Sequence, residues 1–311
     1  MKKVAKNFPA KIILFGEYSI IIGSQALAIP YHNFCGHLAC NEINNEDNES
    51  DESRPQTLLG FYQFLSANSA LAQELDLPRL YEDLQQHHLY FDSTIPEGYG
   101  LGSSGALCAA IWDGYGRCIE NDSLLRSKKR FGMMEAFFHG KSSGLDPLVS
   151  YIDTPILMKS EELILPATMP AVSADDYQLF LINTQRKKST GHYVKLFLER
   201  YSQDANFKKE CDSILIPTNN ALIESFLAAT KDGAHERFCD LFFKLSSFQI
   251  NYFDAMILPE FKALWEQGLK TQNYALKLCG SGGGGLLLGV APATRRQFIP
   301  KEALMLNPIA L

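Results

Sequence analysis

The chain has 311 residues, of which 46% are hydrophobic and 21% charged, and its formal net charge is −6. That is ordinary globular composition, long enough for a full core and for two domains; the acidic balance argues against a nucleic-acid-binding surface, and no apolar run reaches the roughly 18 residues of a membrane span. The seven cysteines are odd in number, form no CxxC and have no zinc-type spacing with histidine, so a reducing, cytoplasmic setting is expected.

The N-terminal stretch "MKKVAKNFPAKIILFGEYSIIIG" begins like a secretory leader, but Pro9, Lys11 and Glu17 interrupt its apolar run, and secretion is rejected. "KIILF" and "YSIIIG" are apolar and β-rich, broken by Gly16-Glu17, and "NFCGHLACNEI" alternates like a further strand. "NNEDNESDESRPQ" is acidic without apolar period and reads as a solvated loop. "TLLGFYQFLSANSALAQELDL" has helical spacing, and "HLYFDSTIP" is a strand ending at Pro96. A glycine-rich loop follows, then a helix from about Ser103 to Cys118 and a second from about Ser123 to Phe138, with Ser123 as its cap. "GKSSGLDPLVSYID" is a loop entering a short helix, and "TPILMKS" and "ELILP" form a strand pair. The polar break "MPAVSADD" puts a domain boundary near Pro170, giving domains of 1–170 and 171–311. The second half opens with strand "YQLFLINT", continues through three or four helices between about Gly191 and Gln272, and closes with "YALKLCG", a glycine run and "GLLLGV". Strands and helices alternate without regular βαβ repetition, so the fold class is α+β.

Two stretches satisfy G-x-G-x-x-G: Gly100 to Gly105 and Gly280 to Gly285. A dinucleotide site needs strand, loop, helix and a second strand ending in an acid. The first match lacks the second strand, and the second is followed by a strand where a helix is required. "FHGKSSG" imitates the end of a Walker A loop, but that pattern's first glycine would fall on Glu135. The first loop still points to an anion. Four glycines in eight residues (Gly98, Gly100, Gly102 and Gly105) let backbone N–H groups approach a ligand. A helix begins there, with its unsatisfied N–H groups and positive dipole end. Ser103 and Ser104 add hydroxyls as donors or hard-metal ligands. The bland alternative is a tight turn with a serine cap. For the second run the alternatives are a flexible hairpin and a backbone that passes close to a ligand.

Several polar residues interrupt apolar surroundings. Lys11 is either an edge-strand lysine or a functional cation, and Glu17 either a turn carboxylate or a site residue. Glu135, among Met133, Met134, Phe137 and Phe138, is either on the polar face of its helix or a cation ligand, because an unpaired buried charge is costly. Asp146 precedes Pro147 and is either a helix cap or a base that orients a hydroxyl. Arg186-Lys187-Lys188 forms a solvated loop or holds an anionic acceptor. "RSKKR" (Arg126 to Arg130) reads as a polar helix face, and His139 as a helix-end residue. A phosphate loop, a lysine, a magnesium carboxylate and an aspartate together make the minimum kit for phosphoryl transfer, which needs alignment and charge neutralisation more than covalent chemistry.

Taken together, "PAKIILFGEYSIIIGSQALAIP", "PEGYGLGSSGALCAA", "HGKSSGLDPLVS" and "LKLCGSGGGGLLLGV" resemble, in order, the motifs of the GHMP small-molecule kinases, and within them the mevalonate kinases. The resemblance implies an N-terminal domain like ribosomal protein S5 domain 2, a ferredoxin-like C-terminal domain, and a site between them. It implies ATP and Mg²⁺ as cofactors, transfer to the primary hydroxyl of mevalonate, and a small-molecule substrate as partner, with a homodimer left open and no nucleic acid or membrane. Asp146 would be the base and Lys11 its catalytic companion. The loop of Gly98, Gly100, Leu101, Gly102, Ser103, Ser104 and Gly105 would hold the nucleotide's phosphates, and Ser104 and Glu135 the metal. Glu17, Tyr18, Gly280, Ser281, Gly282 and Gly283 would shape the substrate wall. Tyr18 stands where mevalonate kinases usually have histidine and phosphomevalonate kinases often have tyrosine. The alternatives are therefore a phosphomevalonate kinase, then a sugar kinase of the same superfamily, then a metabolite-binding member without turnover.

Overall fold

The computed structural model describes residues 6–40, 53–117, 122–171, 175–187, 190–228 and 234–306. Most of the acidic stretch expected as a loop, and Lys188, lie outside them. In chain order the elements are β1 (Phe8–Phe15), β2 (Ala26–Cys40), α1 (Ser53–Ala67), α2 (Ser69–Glu74), α3 (Leu77–Gln86), β3 (Leu89–Ser93), α4 (Ser103–Tyr115), α5 (Leu124–His139), α6 (Leu145–Ile152), β4 (Ile156–Met158) and β5 (Ile164–Pro166). They continue with β6 (Tyr177–Asn183), α7 (Thr190–Gln203), α8 (Ala205–Glu210), α9 (Ile216–Leu227), α10 (Ala234–Tyr252), α11 (Pro259–Thr271), β7 (Ala275–Cys279), β8 (Leu286–Pro292) and β9 (Leu304–Leu306). The chain divides into two compact units. The first holds residues through Lys11, Pro30–Pro96 and Gly102–Thr154; the second holds Ile12–Ile29, Glu97–Leu101 and everything from Pro155. A single cut near Pro170 does not describe this division, because two short N-terminal segments belong with the second half.

In the first unit, β3 pairs antiparallel with the distal half of β2, from Gly36 opposite Ser93 to Cys40 opposite Leu89. Helix α4 is the centre of the unit. Its residues from Gly105 to Trp112 are all buried, as a helix apolar on every side must be, and α5 and α6 pack against it. Gly105 permits that approach: a Cβ there would lie 2.8 Å from the Pro147 nitrogen at the start of α6. Ser123 caps α5 as expected, its Oγ accepting from the Arg126 N–H at 3.2 Å. The stretch Arg126 to Arg130 is not a solvated face throughout. Arg130 is only 1% exposed. Its guanidinium donates to Glu74 and Asp122 and lies 3.9 Å from the Trp112 ring centre. Compensating carboxylates contributed from outside α5 let a charged residue join the interior.

In the second unit an antiparallel sheet runs β7-β8-β6-β9. The Ala26–Ala28 end of β2 pairs with β4, which pairs with β5. Phe15, Phe226, Phe238 and Phe242 form an edge-to-face aromatic core. "YSIIIG" is not a strand. Tyr18 has φ 62°, and Ser19–Ile22 forms a 3₁₀ turn, closed by Gly23 at φ 96°. Among the described residues five α-helices, rather than three or four, lie between Thr190 and Thr271. Asp204 restarts the chain as the cap of α8, and a π-turn over Cys211–Leu215 separates α8 from α9, which has a proline in its first turn.

Candidate active site

The first unit gathers seven of the expected site residues, Lys11, Gly102, Ser103, Ser104, Gly105, Glu135 and Asp146, around the start of α4. Gly102, its N-cap, has φ 77° and ψ 38°, a left-handed conformation that favours glycine. Helices α2, α3, α5 and α8 are capped by the side chains of Asn68, Asp76, Ser123 and Asp204. Gly102 has no side chain to offer, so the first-turn N–H groups of α4 have no side-chain cap. A Cβ on Gly102 would come 2.9 Å from Lys11 Cγ and 3.7 Å from Asp146 Cβ. The backbone is therefore bare where those two side chains pass. Lys11 Nζ lies 2.8 Å from Asp146 Oδ2; the lysine side chain is 5% exposed and the aspartate 28%. Asp146 is in the first turn of α6, where the helix dipole favours a carboxylate.

Glu135 projects from α5 and is buried. Its carboxylate accepts from Ser104 Oγ at 2.9 Å and from Ser142 Oγ. Burial pushes its pKa up to about 7, with the negative charge of Asp146 adding to the rise; the two serine hydrogen bonds and Lys11 pull the other way. His139 Nε2 lies 3.1 Å from Ser104 Oγ. Among the described residues no group of three or more His, Cys, Asp or Glu converges as a metal cage. Ser104 and Glu135 nonetheless fit magnesium. They supply two adjoining hard oxygens, and that ion is commonly held by one or two carboxylates, with waters and phosphate oxygens completing its shell.

The second unit holds the Glu97–Leu101 part of the first glycine-rich loop and the last glycine run. Gly280, Gly282, Gly283, Gly284 and Gly285 all have positive φ, between 68° and 143°. The run is pinned rather than a free hairpin. Gly283 N–H donates to Met256 O at 2.7 Å, Gly285 N–H to Arg186 O at 2.8 Å, and Thr184 donates to Gly285 O through both N–H and Oγ. A Cβ on Gly285 would meet Tyr99 O at 2.5 Å, and one on Gly98 would meet the Lys187 side chain at 3.2 Å. Tyr99 thus lies against the run and Gly98 against the Lys187 stem; Gly98 and Gly100 have φ 78° and 70°, and Leu101 is buried.

Glu17 and Tyr18 are engaged within this unit. Lys277 Nζ donates to Glu17 Oε1, to Leu14 O at 2.8 Å and to Leu278 O at 2.7 Å. The lysine side chain is 0% exposed and the glutamate 2%. Burial raises the Glu17 pKa, and Lys277 opposes the rise. Tyr18 Oη donates to Ser281 O, and its ring packs on Phe197 and Phe253. Neither polar group is left free for a substrate. Ser281 Oγ is buried without a hydrogen-bond partner.

Sequence reasoning did not find Lys277, Ser142 or the contact of His139. Lys277 carried the signal that drew attention to Glu17, a lone charge in an apolar run, and the two signs are opposite. Nothing local marks Ser142 or His139 as reaching Glu135 and Ser104.

Residues 64–153 match the family model of the GHMP kinases N terminal domain. The mevalonate kinase of Pyrococcus abyssi is 25% identical over 314 residues, covering 94% of this chain and 90% of the relative. The crystal structure of L. major mevalonate kinase in complex with R-mevalonate superposes with a TM-score of 0.62 at 14% identity, covering 98% of this chain and 95% of that one. Streptococcus pneumoniae phosphomevalonate kinase superposes with a TM-score of 0.60 at 14% identity, covering 98% of each chain. The superposed structures share the α+β fold of this chain, and its residues 64–153 are similar to the GHMP kinases N terminal domain.

Proposed function

We propose that this chain is a kinase of the GHMP type that transfers the γ-phosphoryl group of ATP to the primary hydroxyl of mevalonate. The observation that carries the reading is the Lys11–Asp146 pair beside the uncapped first turn of α4. Asp146 accepts the proton of the acceptor hydroxyl. The freed oxygen bonds to the γ-phosphorus as the bond to the leaving oxygen of ADP breaks. Lys11 orients Asp146 and places positive charge beside the transferring group. The N–H groups of Ser103, Ser104 and Gly105 bind the polyphosphate, where donors and a dipole favour anions. Ser104 and Glu135 hold the metal, which when bound neutralises phosphate charge. Within the second unit, the segment Gly98 to Leu101 and the run Gly280 to Gly283 supply further bare backbone.

The choice of mevalonate is supported by the names of relatives aligned along nearly the whole chain. Tyr18, which sets the first motif apart, spends its hydroxyl on Ser281 and so adds nothing toward a second phosphate group. The test is ADP release with ATP and Mg²⁺ on separate acceptors: mevalonate, phosphomevalonate and galactose. Turnover is expected with mevalonate. Turnover confined to another acceptor reassigns the substrate, and nucleotide binding without turnover on any of them makes the chain a metabolite-binding member.

A further inference from the structure

A hydroxyl oxygen has one hydrogen and two lone pairs, so with its bond to carbon it has four directions to fill. For Ser104 three are defined. Cβ takes the first. The hydrogen takes the second, donated to Glu135 Oε1 at 2.9 Å. His139 Nε2, at 3.1 Å from the same oxygen, takes the third. Because the single serine hydrogen goes to Glu135, the histidine nitrogen facing Ser104 is the donor in that contact. One lone pair remains, and its direction is fixed by the other three.

We propose that His139 is a positioning residue for the metal site, holding the Ser104 hydroxyl so that its one free lone pair points at the cation. The inference rests on Ser104 and Glu135 being the metal-holding pair. His139 is the last residue of α5, one turn after Glu135 on the same helix. One rigid element therefore carries both groups that grip Ser104. The histidine ring lies beside Phe138, which packs on Phe61. Glu135 is similarly fixed from its other oxygen by Ser142. Without the His139 donor, Ser104 keeps its bond to Glu135 but regains a choice between two lone-pair directions. Groups that orient a metal's ligands typically contribute 10- to 100-fold in affinity, and a contact from a half-open helix end belongs at the lower end of that range.

The test uses Mn²⁺ as a spectroscopic stand-in, titrated by electron paramagnetic resonance into the full-length protein with saturating ADP and no acceptor. Four proteins are compared: wild type, Ser104→Ala, His139→Leu and His139→Gln. Glutamine keeps an N–H donor near the position of Nε2, and leucine does not. The expected result is Mn²⁺ binding weakened roughly tenfold in His139→Leu and largely restored in His139→Gln, with Tm unchanged in both. Wild-type affinity in His139→Leu, or an equal loss in His139→Gln, overturns the role of His139. If Ser104→Ala also binds Mn²⁺ like wild type, the metal site itself is misplaced and both readings fail.

Discussion

Two of the lysine–carboxylate pairs, Lys11–Asp146 and Lys277–Glu17, differ in a way that separates an open site from sealed architecture. In the first unit Lys11 meets Asp146, whose side chain is 28% exposed. In the second Lys277 meets Glu17, and both side chains are sealed at 2% exposure or less. Lys277 satisfies all three of its donors within the protein, on Glu17 and two backbone carbonyls. That pair has nothing left to offer a ligand, and it ties the Gly16–Tyr18 turn to β7. The Lys11–Asp146 pair keeps carboxylate surface open beside helix N–H groups that no side chain caps, as the proposed proton acceptor must. Both pairs join a lysine to a carboxylate far away in sequence; access is what sets them apart.

The comparison can be broken most sharply at Asp146. Asp146→Asn removes the proposed proton acceptor but keeps the shape, and kcat should fall by roughly 10² to 10⁴ while nucleotide binding and Tm stay near wild type. Steady-state kinetics and a thermal melt check this. Lys277→Met should behave in the opposite way. It strands a buried carboxylate and should cost about 3–5 kcal/mol of stability in a denaturant titration, with a far smaller loss of kcat per folded molecule. Equal kcat losses in the two variants would erase the distinction.

A third effect is smaller and depends on pH. The Glu135 pKa is raised from 4.5 to about 7, so the folded protein holds a proton there that the unfolded chain releases. The stability this group contributes is full below about pH 4.5 and is lost as pH rises to about 7. Glu135→Gln cannot ionise. Its unfolding free energy should therefore gain on wild type between pH 5 and pH 8, by at most about 3 kcal/mol, measured as paired urea titrations. A difference that stays flat with pH would place the Glu135 carboxyl in a more polar setting.

Much of the first unit was legible in the sequence because its signals are local. Gly102 ahead of an apolar helix, Ser123 before α5, and Asp146 entering α6 are each read within a few residues. The 3₁₀ turn at Ser19–Ile22 was not legible, because a short apolar run fits a strand equally well and only the left-handed Tyr18 distinguishes them. Arg130 looked like solvated charge because its partners Glu74 and Asp122 come from outside its helix. Strand β9 was missed for a related reason: three residues carry too little pattern, and its pairing with β6 spans more than a hundred residues. Glu17 was found as unusual, but whether its carboxylate faces a ligand or Lys277 depends on a contact 260 positions away.

The measurement that bears most directly on the account is a crystal structure of the protein with a non-hydrolysable ATP analogue and Mg²⁺. The account predicts polyphosphate oxygens within about 2.7–3.2 Å of the N–H groups of Ser103 and Ser104, with the terminal phosphate beside Lys11. A nucleotide whose phosphates lie elsewhere, leaving the first turn of α4 to solvent, would contradict it.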